Sequence, residues 1–295
     1  MRRRIFISIL VVIALVTLGS FGQLYAEKSF LWKVESDKGS SYLLGSIHLL
    51  KKEHYPLRQV IEDAFADSDT MLVEANLSDP EAMKVGMQLL QKGMYQGEET
   101  LKGNISEKTY QLAREKLKEM GLDIEHYKKF KPWMAAMTIL NIQLVKLGFN
   151  PNYGIDMYFM NKAAGEKEIL ELEGIEFQLK LFENFSKEES EKFFLSSVLE
   201  ADQLGKEMDK MVNAWVKGEV ETLERLLTEN VDKYPELKDL YKKIADDRNV
   251  GMVDKIDNYL RQGKRCFVVV GAAHMVGKKG IVQLLKDKGY TVTQL

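Results

Sequence analysis

Two short motifs each place a histidine three residues after a glycine, one near either end of the chain. Gly45-Ser46-Ile47-His48 follows an apolar run that ends at Leu44, and Gly271-Ala272-Ala273-His274 follows another that ends at Val270. With 21 glycines and 4 histidines, about 0.3 such matches are expected by chance, so a pair is informative. Because ligands collect beyond the strand ends of open α/β sheets, we expect both imidazoles in one crevice. The alternative is two separate loop histidines that bond to backbone.

An acid follows the apolar strand that is predicted next along the chain. Glu74 comes directly after residues 70–73, at the point where that strand should end. Two imidazoles and a carboxylate with an open position form a donor set typical of hydrolytic divalent metals. As a general base, the same carboxylate would instead transfer protons. The structural alternative is a glutamate at the sheet edge that caps a helix or forms a salt bridge.

Four further segments hold weaker candidates. Asp156 follows a glycine turn that leads into a helix, where it would usually be just an acid at the helix N-terminus. Glu173 follows the strand predicted at 168–172, where a surface acid is the simpler interpretation. Arg248 and Asn249 stand inside a helical pattern beside two aspartates, and their spacing alone favours an exposed pair. The glycine-flanked segment 277–280 precedes a helix and could bind an anion, but it lacks the spacing of a nucleotide-binding loop.

Short apolar runs and long helical stretches alternate around these residues. Strands are predicted at 31–34, 41–44, 70–74, 168–172, 265–270 and 290–294, the first two as a hairpin. Helices are predicted at 54–66 with Pro56 in the first turn, over about 80–165 and 176–260 with a capping box of Ser186 and Glu189, and at 276–288. The fold class is therefore α/β (α+β): a mixed central β-sheet flanked by helices, with a helical insertion.

The first 26 residues have the pattern of an export signal. Arg2-Arg3-Arg4 precede an apolar run at 5–18, and Ala26 is the candidate last residue before cleavage. An uncleaved anchor is the alternative, because residues 5–21 are nearly long enough to span a bilayer. Both versions place the body, a single domain at 27–295, outside the cytoplasm, where it would be secreted, periplasmic or attached to the cell surface. Membrane contact is expected only through an uncleaved N-terminal segment.

Composition excludes some classes of function. A formal net charge of −2 gives no support for nucleic-acid binding. Cys266 is the only cysteine, so an intramolecular disulfide is excluded, and its apolar strand predicts a buried side chain. The other two histidines have no motif: His54 is a candidate for the rim of the crevice, and His126 is expected to be a solvated helix residue.

Together these segments resemble the TraB/GumN family, which includes the Tiki proteins. The resemblance runs from about residue 31 to residue 295, and the paired G-x-x-H motifs are its most specific part. The matching segments are 42–48, 72–74, 153–156, 172–178, 247–249 and 270–277, in the family's order. The chain lacks the C-terminal membrane segments of the pheromone-shutdown branch, which puts a membrane regulatory role of that kind in doubt.

The resemblance implies a fold shared with the erythromycin-esterase and ChaN-like groups. It also implies metal-dependent proteolysis, since Tiki proteins are regarded as proteases that favour Mn²⁺ or Co²⁺, and Zn²⁺ is a further candidate here. By this likeness His48, Glu74 and His274 are metal-site candidates, and Arg248 is a candidate contact for the substrate or transition state. It gives more weight to Asp156 and Glu173 as further catalytic candidates.

The leading hypothesis is an exported metal-dependent hydrolase, with a peptidase as its narrower form and a peptide or other small exported molecule as its substrate. The sequence has no H-E-x-x-H motif, so the chain is not a zincin. Two other classes stay open: a haem- or metal-binding protein of the ChaN type, in which a histidine binds the iron, and a non-catalytic regulator that sequesters an exported peptide.

Overall fold

The computed structural model describes residues 28–76, 80–233 and 242–295, and a mixed β-sheet lies at its centre. Its six strands are β1 (Leu31–Ser36), β2 (Gly39–Ser46), β3 (Thr70–Val73), β4 (Glu168–Glu171), β5 (Cys266–Gly271) and β6 (Thr291–Gln294). Their order across the sheet is β4-β3-β5-β2-β1-β6. The predicted export signal at 1–26 lies outside the described residues.

Four neighbouring strands run parallel, and this arrangement positions the site. β2 pairs with β5, β5 with β3, and β3 with β4, all in parallel, whereas β1 pairs antiparallel with β2 and β6. The carboxyl ends of β2, β5, β3 and β4 therefore meet at one edge of the sheet. Every residue of β5 is buried, as its unbroken apolar sequence predicts for a strand covered on both faces.

Helices cover the sheet and fill the long segments between strands. Within the described ranges they are α1 (Gln59–Ala66), α2 (Pro80–Gly93), α3 (Leu101–Asn104), α4 (Glu107–Glu119), α5 (Pro132–Lys146), α6 (Ile155–Ala163), α7 (Ile175–Glu183), α8 (Lys187–Leu199), α9 (Leu204–Val216), α10 (Val220–Lys233), α11 (Asp247–Arg261), α12 (Ala272–Met275) and α13 (Ile281–Asp287). Three short 3₁₀ helices (Lys52–His54, Ile124–Tyr127 and Pro151–Tyr153) and a π-helical turn (Lys242–Asp246) complete the described helical structure.

Two apolar clusters hold the chain together. The larger is built on both faces of the sheet around residues such as Leu44 and Phe267, and it buries Cys266 as predicted. The smaller lies among the inserted helices α3, α4, α5 and α8, around Leu101, Ile139 and Phe194. The predicted fold class, a mixed sheet flanked by helices with a helical insertion, is confirmed.

Element boundaries differ from the prediction at two helices. The helix predicted from His54 begins at Gln59, because the chain is extended up to Arg58, where ψ is 139°. The helix predicted at 276–288 begins at Ile281, because Gly277 adopts a φ of 83° that ends the preceding turn. The capping box of Ser186 and Glu189 at the start of α8 is confirmed.

No helix among the described residues is long and apolar enough to cross a membrane.

Candidate functional site

The two motif histidines converge with Glu74 around Gly271, at the carboxyl edge of the parallel strands. Ser46 is paired with Gly271 in the register of β2 and β5, so the two motifs leave the sheet side by side. A Cβ added at Gly271 would lie 3.4 Å from His48 Nε2, 3.2 Å from Glu74 Oε1 and 3.6 Å from His274 Cδ2. The structure therefore brings together three side chains that are up to 226 residues apart in sequence.

His48 is held by a carboxylate from the start of α6. Its Nδ1 lies 2.8 Å from Asp156 Oδ2, and the other oxygen of Asp156 accepts a hydrogen bond of 2.8 Å from Ser46 Oγ. The charge of Asp156 raises the pKa of His48 to about 9, and the hydrogen bond between the two groups acts in the same direction. Because Nδ1 faces the carboxylate, Nε2 is the ring nitrogen that faces Gly271.

A glycine allows Asp156 to reach His48. Any Cβ at Gly154 would lie 2.1 Å from the His48 carbonyl oxygen, so only glycine fits where α6 begins. The amide of Ile155 then donates to the Ile47 carbonyl at 3.0 Å, which joins the start of α6 to the first motif. The turn at 153–156 therefore positions a carboxylate, and Asp156 is more than an acid at a helix N-terminus.

His274 is buried and is held by an amide. Its Nδ1 lies 2.6 Å from Asn249 Oδ1, and Asn249 Nδ2 donates to the Lys279 carbonyl at 2.8 Å. Burial lowers the pKa of His274 to about 4, although Glu74 acts in the other direction. The ring is therefore neutral at pH 7, and its Nε2 lies 3.9 Å from Glu74 Oε2.

Glu74 is an anion in a buried position. Burial alone would raise its pKa, but His274, His48 and Arg248, together with the Gly271 amide, outweigh that effect and lower it to about 2. The Gly271 amide donates to Oε1 at 2.7 Å, and Gln178 Nε2 donates to Oε2 at 3.1 Å. Glu74 thus stays charged although it is only 7% exposed.

Arg248 and Glu173 are buried in the same cluster, which corrects the expectation from spacing that both are surface residues. Arg248 Nε lies 3.0 and 3.1 Å from the two oxygens of Glu173, and its Nη2 bonds to both Glu173 and Glu74. Side-chain exposure is 11% for Arg248 and 5% for Glu173. Arg248 balances one of the two negative charges and donates to both carboxylates, which offsets part of the cost of burying them.

Comparison with known proteins agrees with this arrangement of motifs. The model of the TraB/PrgY/gumN family matches residues 30–294. The chain belongs to this family. Every residue of the cluster lies inside the matched range, so the site belongs to the part of the chain that carries the family likeness.

The chain is also similar to uncharacterised proteins of three bacteria. An uncharacterised protein named YbaP is 24% identical in Escherichia coli (strain K12), where the match covers 83% of this chain and 87% of the relative. YbaP of Shigella flexneri is also 24% identical, over 83% of this chain and 88% of the relative. An uncharacterised protein of Treponema pallidum (strain Nichols) is 22% identical over 90% and 82% of the two chains. No solved structure matches, so the expected likeness to the erythromycin-esterase and ChaN-like groups stays an expectation.

Sequence reasoning assigned no role in the site to three residues of this TraB/PrgY/gumN cluster. Asn249 was expected to be exposed, yet it is 2% exposed and bonds to His274. Gln178 bonds to Glu74, and Ser46 bonds to Asp156. All three lie in segments that carry the family resemblance, and Ser46 is inside the first motif, so that likeness was the available signal.

The two remaining histidines lie outside this cluster. His54 ends a 3₁₀ helix and lines a small cleft with Phe30 and Trp215, where none of the site residues contributes. His126 is exposed on another 3₁₀ helix, as predicted for a solvated residue. Both are therefore suitable controls for substitutions of the motif histidines.

The donor set fits a divalent metal in kind, and its spacing is more open than that of a formed metal centre. Two imidazole rings and a carboxylate surround one point, and each ring has its Nδ1 bonded to a second residue, as metal-binding histidines do. Among the described residues, no group of three or more His, Cys, Asp or Glu side chains has the geometry of a metal site. Arg248 Nη2 already donates a hydrogen bond to Glu74 Oε2.

Proposed function

We propose that this TraB/PrgY/gumN protein is an exported metal-dependent hydrolase that cleaves peptides or another small exported substrate. The candidate ligands are His48, His274 and Glu74. One observation carries the proposal: two imidazoles and a buried, ionised carboxylate surround Gly271, and each ring is fixed through its Nδ1 so that Nε2 is left for a ligand. Mn²⁺ or Co²⁺ is the metal that the family resemblance favours, with Zn²⁺ as the alternative.

A divalent ion bound there would supply a water of lowered pKa and would polarise a substrate carbonyl. The chain's own residues have separate tasks. Asp156 orients His48, and Asn249 orients His274. Glu74, buried and ionised, contributes negative charge that favours cation binding.

Arg248 supplies the positive charge of the site. Glu173 holds it from the far side through Nε and Nη2, while Nη2 also reaches Glu74. A guanidinium fixed in this way can donate to an oxygen that gains negative charge during the reaction, and such preorganised donors stabilise the transition state. Asp156 and Glu173 are therefore proposed as residues that position His48 and Arg248, with proton transfer assigned to Glu74 or to a carboxylate nearby.

The activity test uses metal-free protein and a peptide library. After chelation, the chain is assayed without metal, with Mn²⁺ and with Co²⁺, and products are identified by mass spectrometry. Cleavage should require metal and should be lost in His48→Gln and His274→Gln, while His126→Gln, at an exposed position, keeps wild-type activity. Full cleavage by metal-free protein would contradict the metal-dependent mechanism. Metal-independent capture of intact peptides would favour the sequestering regulator, and a visible absorption band on haem titration would favour the haem-binding alternative.

The proposed site of action is outside the cytoplasm. Its support is the charge and apolar pattern of residues 1–26, which is typical of an export signal. N-terminal sequencing of the exported protein should begin near Glu27. A product that still begins at Met1 and stays in the membrane fraction would instead favour an uncleaved anchor.

A further inference from the structure

The segment that joins the second motif to α13 makes a contact with the site that the proposed chemistry does not use. Residues 277–280 form a tight turn directly after His274 and α12, and this turn presents the carbonyl of Lys279 to Asn249. The sequence Gly-Lys-Lys-Gly suggested an anion site. The structure instead gives the turn a contact that points inward, to the amide that touches His274.

The orientation of the Asn249 amide follows from its two partners. A backbone carbonyl only accepts hydrogen bonds, so the atom of Asn249 that lies 2.8 Å from the Lys279 oxygen must be the donor Nδ2. Its Oδ1 then faces His274 Nδ1 at 2.6 Å. Since Oδ1 only accepts, the proton of the neutral ring must be on Nδ1, which leaves the lone pair on Nε2.

Burial leaves no alternative to this assignment of the His274 proton to Nδ1. Asn249 is 2% exposed and His274 is 6% exposed, so water does not offer either group a substitute partner. With the proton on Nε2 instead, His274 Nδ1 and Asn249 Oδ1 would be two acceptors facing each other at 2.6 Å. Glu74 Oε2, the acceptor nearest to His274 Nε2, lies 3.9 Å away, which is too far for a hydrogen bond, so Glu74 does not hold the proton on Nε2.

We infer that Asn249 is a positioning residue that fixes the Nδ1–H tautomer of His274, and that the 277–280 turn fixes Asn249 through the Lys279 carbonyl. Gly280 is part of this device, because a Cβ there would lie 2.4 Å from the Val276 carbonyl oxygen and 2.7 Å from that of Met275. A side chain at position 280 would force this turn open and move the carbonyl that holds the amide. The tautomer itself is a property of the metal-free protein. Only its purpose, which is to leave Nε2 free for a metal ion, rests on the proposed function.

The test is a ¹⁵N–¹H NMR experiment on histidine-labelled, metal-free protein at neutral pH, which shows which nitrogen of each ring carries the proton. The signals of His274 are assigned by their loss in His274→Gln. The wild type should show the proton on Nδ1. Asn249→Ala should replace that pattern with a mixture of tautomers. Gly280→Ala should shift the pattern in the direction of the alanine variant.

A matched control separates this role from a general loss of packing. Gln178→Met removes another amide from the cluster, at Glu74, and should leave the His274 tautomer unchanged. If Asn249→Ala does not fold, Asn249→Leu fills the space without an amide and serves for the same measurement. A wild-type ring protonated on Nε2, or an alanine variant that keeps the wild-type pattern, would overturn the inference.

Manganese binding then links the tautomer to the site. Isothermal titration with Mn²⁺ should show an affinity loss of about 10- to 100-fold in Asn249→Ala, the range found when residues behind metal ligands are removed. Wild-type protein with the Nδ1–H tautomer that binds no Mn²⁺ would contradict the proposed function and leave the positioning role of Asn249 intact. If Asn249→Ala changes the tautomer of His274 but not the affinity for Mn²⁺, the tautomer has no part in metal binding. That result would overturn the purpose proposed for it.

Discussion

The two glycine–histidine motifs have the same spacing and leave adjacent parallel strands, yet their imidazoles lie in opposite environments. The His48 side chain is 59% exposed and faces a carboxylate, whereas the His274 side chain is 7% exposed and faces an amide. The glycines differ as well. A Cβ at Gly45 would lie 2.5 Å from Phe30 in the core, whereas a Cβ at Gly271 would meet the site itself.

The difference teaches how burial selects the partner of a histidine. The exposed ring can face a carboxylate, because water solvates the imidazolium that pairs with Asp156. A ring as buried as His274 would pay a large desolvation cost as an imidazolium, so a neutral amide is the partner that keeps it neutral and oriented. The site therefore has an open half around His48 and a closed half around His274, Asn249, Arg248 and the two glutamates, and the predictions below probe that contrast.

The largest effect is expected in the closed half, at its only cation. Arg248→Met leaves Glu74 and Glu173 buried without their partner, and removing one member of a buried ion pair costs about 3–5 kcal/mol of unfolding free energy. Arg225→Met, at an exposed pair with Glu229, is the matched control and should cost less than about 0.5 kcal/mol. Urea unfolding of both variants measures the difference. Equal losses would show that the cluster is solvated and not closed.

The histidines themselves should differ in the same direction. His274→Ala creates a buried cavity and leaves Asn249 Oδ1 without its donor, at a cost of about 2–3 kcal/mol. His48→Ala removes an exposed ring while Asp156 keeps the hydrogen bond from Ser46, so the cost should stay below about 1 kcal/mol. Unfolding curves at pH 7 compare the two. Similar costs for both variants would break the contrast between the open and closed halves.

The pH dependence of stability should have opposite signs for the two rings. His274 has a pKa lowered from 6.5 to about 4, so its contribution is complete above pH 6.5 and is lost as pH falls towards 4, by up to about 3 kcal/mol. His48 has a pKa raised to about 9, so its contribution is complete below pH 6.5 and is lost as pH rises towards 9. Solvent around the exposed His48 ring should keep that second effect small.

Melting curves from pH 4 to pH 9 test this, with His274→Gln and His48→Gln as references. The difference in stability between wild type and His274→Gln should shrink on the acid side, and the difference for His48→Gln should shrink on the alkaline side. If both stability differences changed in the same direction with pH, the assignment of a neutral ring to His274 and a charged ring to His48 would be contradicted.

A last, small effect concerns Ser46, the residue behind Asp156. Ser46→Ala removes one hydrogen bond from the Asp156 carboxylate, which keeps its contact with His48, so stability should fall by about 1 kcal/mol. The pKa of His48, followed by NMR titration, should rise slightly, because the carboxylate then has one donor fewer. A fall of that pKa would show that Ser46 orients the carboxylate towards the ring and does not compete with it.

The sheet and its edge could be predicted because they depend on local pattern. The apolar runs that end at Leu44, Val73 and Val270 fix three strands, and the residues that follow each strand had to meet at one edge once those strands ran parallel. The pairing of the two motifs followed from that geometry. Which histidine faces a carboxylate and which faces an amide could not be predicted in this way, because it depends on which helix supplies the neighbouring residue.

Arg248 and Asn249 show why the rest could not be predicted. Beside Asp246 and Asp247 they have the composition of a solvated helix start, and only contacts with residues far along the chain bury them. Their partners Glu173 and His274 lie 75 and 25 residues away. Helical spacing shows which side of α11 is polar. It does not show that this polar side faces a buried cluster of carboxylates and not solvent.

The most direct test of the central claim is manganese titration of the purified, metal-free chain beside the same titration of Glu74→Gln. Glutamine has the shape of glutamate and can still accept from the Gly271 amide, so a melting curve should show a folded variant. If Glu74 and the two histidines form one metal site, the wild type should bind a single ion, and Glu74→Gln should lose most of that affinity, as should His48→Gln and His274→Gln. A well-folded Glu74→Gln variant that binds manganese as tightly as the wild type would contradict the account.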